Sequence, residues 1–368
     1  MKRTLTLVLI YFWPCYLAWF IGSTSFQNKT LRTGNPLDPS TLLNEGLKDA
    51  TNAFFIGVAV NPERVADETY VSVYKREFNS ITAENAMKMH KILVGLDANN
   101  QPIYDWTQAD AIVNFAEANQ LNLHGHTLIW HESIPEVLQK FKGSDAAFAH
   151  IIKTYITDVV TRYKGKVDSW DVVNEAIDDE SESFRNSIFY QRMGEDYVKK
   201  CFELARAADN EVKLFYNDFN LVTKKKKRKA VFALVDELMT ENLIDGVGYQ
   251  MHINFDFPSK SLIHKAVYYA TKRKLLVHFS ELDVQVNANK DIEFFSQTRE
   301  EAQKAKVREV VEVYADLPKK CQYALTVWGL KDDDSWITPR FGHKDWPLLF
   351  DDTFRKKEAY YGFLDALK

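Results

Sequence analysis

Two glutamates follow polar residues at the ends of β-rich runs, Asn174-Glu175 and Ser280-Glu281. A pair of carboxylates held apart can run acid–base chemistry on a glycosidic bond. One protonates the leaving oxygen while the other acts as nucleophile or as base for water. A lone glutamate after a strand is usually a solvated or helix-capping group, so the pair takes its meaning from its neighbours. Asn174, directly before the first, could bond a sugar hydroxyl near the reacting carbon. His252 and Asp283 could form a carboxylate–imidazole pair that keeps Glu281 ionised and oriented. Trp130, Trp328 and Trp336 offer flat faces for C–H stacking with an N–H at the edge, as a pyranose ring requires.

Two further groups admit competing readings. Glu84-Asn85 with Lys88 reads as a helix start with a dipole-compensating acid, or as acceptor, amide and ammonium for sugar hydroxyls. His124 and His126 sit at i, i+2 and would share one face of a strand. With His131 and either Asp218 or Asp283 they could bind Zn²⁺. The preferred reading turns His124 into the interior, places His126 near the sugar and needs no metal.

Elements must bring these residues together. Short β-rich runs are expected at Phe54–Val60, Glu77–Ile81, Leu123–Ile129, Ser169–Val173, Val212–Tyr216, Asp245–Gln250, Leu275–Phe279 and Tyr323–Trp328. Between them apolar residues recur at helical spacing: Phe148, Ile151, Ile152 and Tyr155 form one stripe, and Val231, Leu234, Val235 and Leu238 another. A third is Val307, Val310, Val311 and Tyr314. Eight strands alternating with helices predict an α/β chain folded as a (β/α)8 TIM barrel, with a single catalytic domain over residues 45–368. Glu84, Trp130, Glu175, Asn217, Gln250, Glu281 and Trp328 then all fall after or at strand ends. In a barrel these positions meet at one rim.

The rest of the chain bounds the partners. A net charge of −4 gives no reason to expect nucleic acid, and the run Lys224–Lys229 reads as a solvated face. Lys2 and Arg3 precede an apolar stretch from Leu5 to Gly22 and then Ser23-Thr24-Ser25, a pattern expected of an export signal over residues 1–25. The stretch is long and contains Pro14, so an uncleaved membrane anchor is the alternative, with residues 26–44 a flexible leader. The protein is therefore expected to be exported, secreted or periplasmic, with membrane contact only through that anchor. Cys201 and Cys321 are expected to be buried free thiols.

Several segments together resemble the family 10 glycoside hydrolases, whose main activity is endo-1,4-β-xylanase. They are Phe78-Asn79-Ser80-Ile81-Thr82-Ala83-Glu84-Asn85 with Lys88, Gly125-His126-Thr127-Leu128-Ile129-Trp130-His131, and Trp170-Asp171-Val172-Val173-Asn174-Glu175-Ala176. Asn217-Asp218-Phe219-Asn220, Asp245–His252, Ser280-Glu281-Leu282-Asp283 and Thr326–Trp336 continue the series in order, to the tail Pro347–Asp351. The resemblance implies that Glu175 is the acid/base and Glu281 the nucleophile of a retaining double displacement. It implies that Lys88, His126, Trp130, Asn174, Gln250, His252, Trp328 and Trp336 line the central sugar subsite, and that Glu84 and Asn85 bind the next sugar outward. Xylan and xylo-oligosaccharides would be the partners, with no cofactor, no metal and no obligate protein partner. The sequence departs from the family at Glu132, where a Gln is usual nearby, at Ala83 for Pro, at His90 for Trp, and in the acidic loop Lys331–Asp334. Two rival readings are a metal-dependent hydrolase using the histidines and a non-catalytic glycan binder using the tryptophans alone.

Overall fold

The computed structural model describes residues 46–368. The expected export signal, anchor and leader over residues 1–44 lie outside the described residues. Eight parallel strands alternate with eight principal helices. The strands are β1 (Phe55–Val60), β2 (Ser80–Ala83), β3 (Asn122–Gly125), β4 (Ser169–Asn174), β5 (Lys213–Asp218), β6 (Gly246–Tyr249), β7 (Leu276–Gln285) and β8 (Gln322–Val327). The helices that follow each in turn are α1 (Glu68–Glu77), α2 (Thr107–Asn119), α3 (Asp145–Arg162), α4 (Tyr197–Ala208), α5 (Lys225–Thr240), α6 (Lys260–Thr271), α7 (Gln297–Ala315) and α8 (Glu358–Asp365). Each strand pairs with the next, and β8 closes the ring on β1 through Gly57 opposite Thr326. The closed barrel is the architecture expected from the alternation.

Burial explains the alternation. Strand residues are covered on both faces, so β1, β4 and β8 read as near-continuous buried runs. Helices bury one stripe only: Phe148, Ile151, Ile152, Tyr155 and Val159 of α3 are inaccessible to solvent. Serines start several helices, Ser144 accepting from the Ala147 N–H at 3.2 Å and Ser259 from that of Leu262 at 3.4 Å. Inside the barrel floor His124, Phe215, His278 and Tyr323 pack edge to face, and the His278 ring lies 2.8 Å from the Thr326 hydroxyl.

Three expected boundaries move. Glu77 belongs to α1 and not to the second strand. Its buried carboxylate accepts from the Leu47 N–H at 3.1 Å and the Tyr360 hydroxyl at 2.7 Å. The third strand stops at Gly125, the cis His126–Thr127 bond follows, and a two-residue strand, Ile129–Trp130, resumes pairing with β4. Between them Asp171 captures the chain, its carbonyl accepting from Leu128 N–H and Thr127 Oγ1. β7 runs six residues beyond Phe279, with its register against β8 shifting between Phe279 and Leu282, so Glu281 and Asp283 lie within the strand.

The lysine run also differs from its expectation. It forms the first turns of α5, and Lys227 is fully buried between Asp179 and Asp218 at 2.6 and 2.7 Å. Arg228 is buried too and donates to the Leu221 and Val222 carbonyls. Two of the six cations are therefore internal, because carboxylates of a neighbouring loop and of β5 pair with Lys227 and backbone carbonyls accept from Arg228. Cys201 and Cys321 are buried free thiols, as expected.

Candidate active site

The C-terminal ends of the strands surround a cleft of about 510 Å³. The structure places Glu84, Asn85, Lys88, His126, Trp130, Asn174, Glu175, Gln250, His252, Glu281, Trp328 and Trp336 along its wall. Asp283 sits directly behind. Past Glu84 and Asn85 the cleft opens into a groove of about 700 Å³ that runs by Asn61, Arg64 and Asp333. Past Glu132 it reaches another of about 1080 Å³ beside His90, Leu93 and Pro135.

Glu175 and Glu281 are both buried, yet their surroundings differ. The Glu175 carboxylate accepts from Trp130 Nε1 at 2.9 Å, Gln250 Nε2 at 3.0 Å and Asn174 Nδ2 at 3.1 Å. Glu281 accepts from Asn217 Nδ2 at 2.7 Å and faces His252 Nε2 at 3.1 Å. Asn217 also donates to Asn174 Oδ1 at 3.0 Å, so one amide links the two carboxylate environments. Gly248 makes room for it: a Cβ there would lie 2.1 Å from Asn217 Oδ1.

These surroundings separate the two acids electrically. Burial pushes the Glu175 carboxyl above the ordinary range, the bonds from Gln250 and Trp130 offset part of this, and the charge on Glu281 adds to the rise. Burial would raise Glu281 as well. There, however, the His252 bond, the charges of His126 and His252, and the Asn217 bond reverse the effect and hold it below the usual value. Burial opposes a charge on His252, but Asp283 and Glu281 outweigh it and lift the imidazole to about 10. Two titratable groups driven apart in this way assign themselves as acid and ionised base or nucleophile.

Around this pair the remaining polar residues are tied down. Lys88 donates to Asn85 Oδ1 at 3.1 Å and lies 4.7 Å from the centre of the Trp130 ring. Burial lowers its pKa against the pull of Glu281, Glu84 and Glu175. Glu84 accepts from Asn61 Nδ2 at 2.5 Å. The helix that starts after Lys88 is a single turn, Met89–Ile92, and Glu84, Asn85 and Lys88 all line the cleft. Two of the three indole N–H groups depart from the expectation of free sugar donors. Trp130 gives its hydrogen to Glu175, and Trp336 gives its own to Asp283 Oδ2 at 2.9 Å. Their faces, not their edges, remain for a sugar.

The histidines considered as a metal set do not converge. His124 Nε2 and His126 Nδ1 lie 3.0 and 2.9 Å from the same Asp171 oxygen, with His124 Nδ1 2.6 Å from Ser169 Oγ. His131 lies apart beside Glu132. Among the described residues no group of three or more His, Cys, Asp or Glu side chains is arranged to hold a metal ion.

Some cleft residues went unnamed in the sequence reading. Arg340 and Phe341 come from a short helix, Ile337–Phe341, and Phe219 and Gln285 complete the wall. Nothing in their spacing marks Arg340 and Phe341, whose short helix lies in the connection after β8, whereas Gln285 ends β7 and Phe219 directly follows β5 within the Asn217–Asn220 segment. Asn217 and Asn220 had a signal, the Asn-Asp-Phe-Asn segment after β5. Glu132 lines the cleft with Arg340 3.7 Å away. The acidic loop is neutralised locally: Asp332 pairs with Lys357 at 2.9 Å, and Asp334 accepts from the Tyr70 hydroxyl at 2.8 Å and meets Arg64 at 3.0 Å.

A closed barrel with two buried glutamates of opposite bias in one rim cleft defines a glycoside hydrolase architecture. The chain belongs to Glycosyl hydrolase family 10, whose profile matches residues 46–366. It is 36% identical over 332 residues to endo-1,4-beta-xylanase A of Thermotoga maritima, covering 88% of this chain and 30% of that protein. It is 32% identical over 335 residues to endo-1,4-beta-xylanase 1 of Gibberella zeae, covering 89% of this chain and 91% of the relative. A mutant Xylanase10C from Cellvibrio japonicus in complex with xylopentaose superposes with a TM-score of 0.82 at 35% identity, covering 88% of this chain and 69% of that one. The chain spans between 30 and 57% of the length of the first curated relatives it matches.

Proposed function

We propose that this chain is a retaining endo-1,4-β-xylanase that cuts internal β-1,4-xylosidic bonds of xylan and xylo-oligosaccharides by double displacement. The observation that carries the reading is the opposite bias of two carboxylates in one cleft, Glu175 held toward its protonated form and Glu281 toward its ionised form. Glu281 attacks the anomeric carbon as the bond to the leaving sugar oxygen breaks, and the Glu175 proton passes to that oxygen. Glu175, now ionised, takes a proton from water; the water oxygen attacks the same carbon and the ester to Glu281 breaks. His252 holds Glu281 in place through the first step, and Asp283 holds His252.

The xylanase names of the relatives and the xylopentaose bound in a structural neighbour support the substrate. The grooves that continue the cleft past Glu84 and past Glu132 support cleavage within a chain. Export fits the same reading, and the charged start and apolar run before residue 25 support it. A fluorinated xylobioside with an activated leaving group tests the mechanism: intact-mass peptide mapping is expected to find the sugar on Glu281. An adduct on any other residue, or inverted product configuration by proton NMR, overturns the proposal.

A further inference from the structure

Glu175 has a left-handed backbone, with φ +58°, although it carries a full side chain and is buried. A residue of this kind is strained and persists only where its surroundings hold it. The two N–H groups that follow, those of Ala176 and Ile177, both donate to the Tyr216 hydroxyl, at 3.0 and 3.3 Å. That hydroxyl in turn donates to Asp218 Oδ2 at 2.7 Å. A phenol has one hydrogen and accepts on its oxygen, and here each capacity is used. The other Asp218 oxygen accepts from the Phe219 N–H at 2.9 Å and pairs with Lys227 at 2.7 Å. Tyr216, Asp218 and Lys227 are fully buried and none lines the cleft.

We infer that Tyr216 and Asp218 are positioning residues for the proton-donating role proposed for Glu175, fixing the strained backbone from which its carboxyl reaches the scissile oxygen. The chain of contacts gives the direction of the effect. The Asp218 carboxylate takes the phenolic hydrogen, which leaves the oxygen free to accept both N–H groups. Without the hydroxyl two buried N–H groups lose their acceptor, and the turn after Glu175 can relax. Glu281 does not belong to this chain; its partners are His252 and Asn217. The deficit should therefore fall on protonation of the leaving group and spare nucleophilic attack.

This inference rests on the reading of Glu175 as the acid, and leaving-group dependence separates the two. A substrate whose leaving group departs without a proton hides a faulty acid, whereas an ordinary sugar exposes it. The purified full chain and its Tyr216→Phe, Asp218→Asn and Glu175→Ala variants are assayed for kcat/KM on xylotetraose and on 2,4-dinitrophenyl β-xylobioside. The ratio of the two values on one sample cancels any loss of folded enzyme. Glu175→Ala is expected to shift that ratio by more than about a hundredfold toward the activated substrate. Tyr216→Phe and Asp218→Asn are expected to shift it the same way by about ten- to a hundredfold. An unshifted ratio in Glu175→Ala sinks the acid assignment itself. A shifted ratio in Glu175→Ala beside an unshifted one in both other variants overturns the positioning role alone, as does equal loss on both substrates.

Discussion

His252 stands between two carboxylates, its Nδ1 2.7 Å from Asp283 Oδ2 and its Nε2 3.1 Å from Glu281 Oε2. With its pKa raised to about 10, the imidazole carries a positive charge at neutral pH and faces the proposed nucleophile with it. Trp336 donates to the same Asp283 oxygen, so the order runs from indole to carboxylate to imidazole to carboxylate. Each group fixes the next. Glu281 is thereby kept ionised in a buried place where burial alone would protonate it.

The pH profile of kcat/KM should follow from the two opposite shifts. The proposed double displacement requires Glu281 ionised and Glu175 protonated. Glu281 is depressed, so the acid limb should fall only below the ordinary glutamate value of about 4.3. Glu175 is raised, so the alkaline limb should set in above that value as the acid loses its proton. Rates on xylotetraose across pH 3–10 check this. A single limb, or two limbs crossing in the reverse assignment under Glu175→Gln substitution, contradicts it.

Replacing the imidazole tests its charge. In His252→Asn the positive neighbour and its bond to Glu281 are gone while burial remains, so the Glu281 pKa should rise. The acid limb of kcat/KM should move upward, and kcat at its optimum should fall about ten- to a hundredfold. The sign of the stability effect is separate. A folded-state pKa of about 10 lies above the unfolded value, so the contribution of His252 is full below about pH 6.5 and is lost as pH rises through 10. The wild-type thermal midpoint should decline more steeply than that of the variant between those limits.

Much of the barrel was legible because its strands and helices are separated by burial pattern alone. β1 is apolar and covered almost throughout, and α3 carries one apolar stripe, so period and length mark each. The rim residues were legible for a related reason: Asn174, Glu175 and Glu281 are polar residues within or beside runs that burial otherwise makes apolar. What escaped depends on partners distant in sequence. Nothing around Lys227 announces that Asp179 and Asp218 bury it, and nothing around Trp130 announces that Glu175 takes its N–H. The break after Gly125 depends on Asp171, which lies more than forty residues on. Arg340 and Phe341 reach the cleft through a loop whose path the spacing does not encode.

Lys227 gives a stability prediction independent of catalysis. It neutralises Asp179 and Asp218 with no exposure of its own. Lys227→Met keeps most of the side-chain volume and removes the charge, leaving the buried Asp218 without its cation while Asp179 retains Lys224 at 3.1 Å and Asn220 at 2.6 Å. Breaking a buried pair from one side costs about 3–5 kcal/mol. Thermal unfolding at pH 7 should show a midpoint several degrees lower. The deficit should be larger at pH 9 and shrink as pH falls, because burial lifts the Asp218 carboxyl to about 7 even with Lys227 beside it, and without the lysine it takes up its proton more readily still, which removes the stranded charge. A variant as stable as the parent contradicts the internal pairing.

Gly248 should be as sensitive as any polar residue in the cleft, although it has no side chain. A Cβ at this position would lie 2.1 Å from Oδ1 and 2.9 Å from Cγ of Asn217. Asn217 cannot yield without consequence: the same oxygen accepts from the Ser280 hydroxyl at 2.7 Å, and its nitrogen donates to Glu281 and Asn174. Gly248→Ala should therefore lose about 1–3 kcal/mol of stability through overpacking. It should also lower kcat on xylotetraose about ten- to a hundredfold by pulling the amide from Glu281. Because the Asn217 side chain bonds Glu281 directly and reaches Glu175 only through Asn174, the loss should fall mainly on nucleophilic attack and be similar on 2,4-dinitrophenyl β-xylobioside. Equal loss on both substrates from Gly248→Ala, beside selective loss from Tyr216→Phe, would place the two carboxylates under separate structural control.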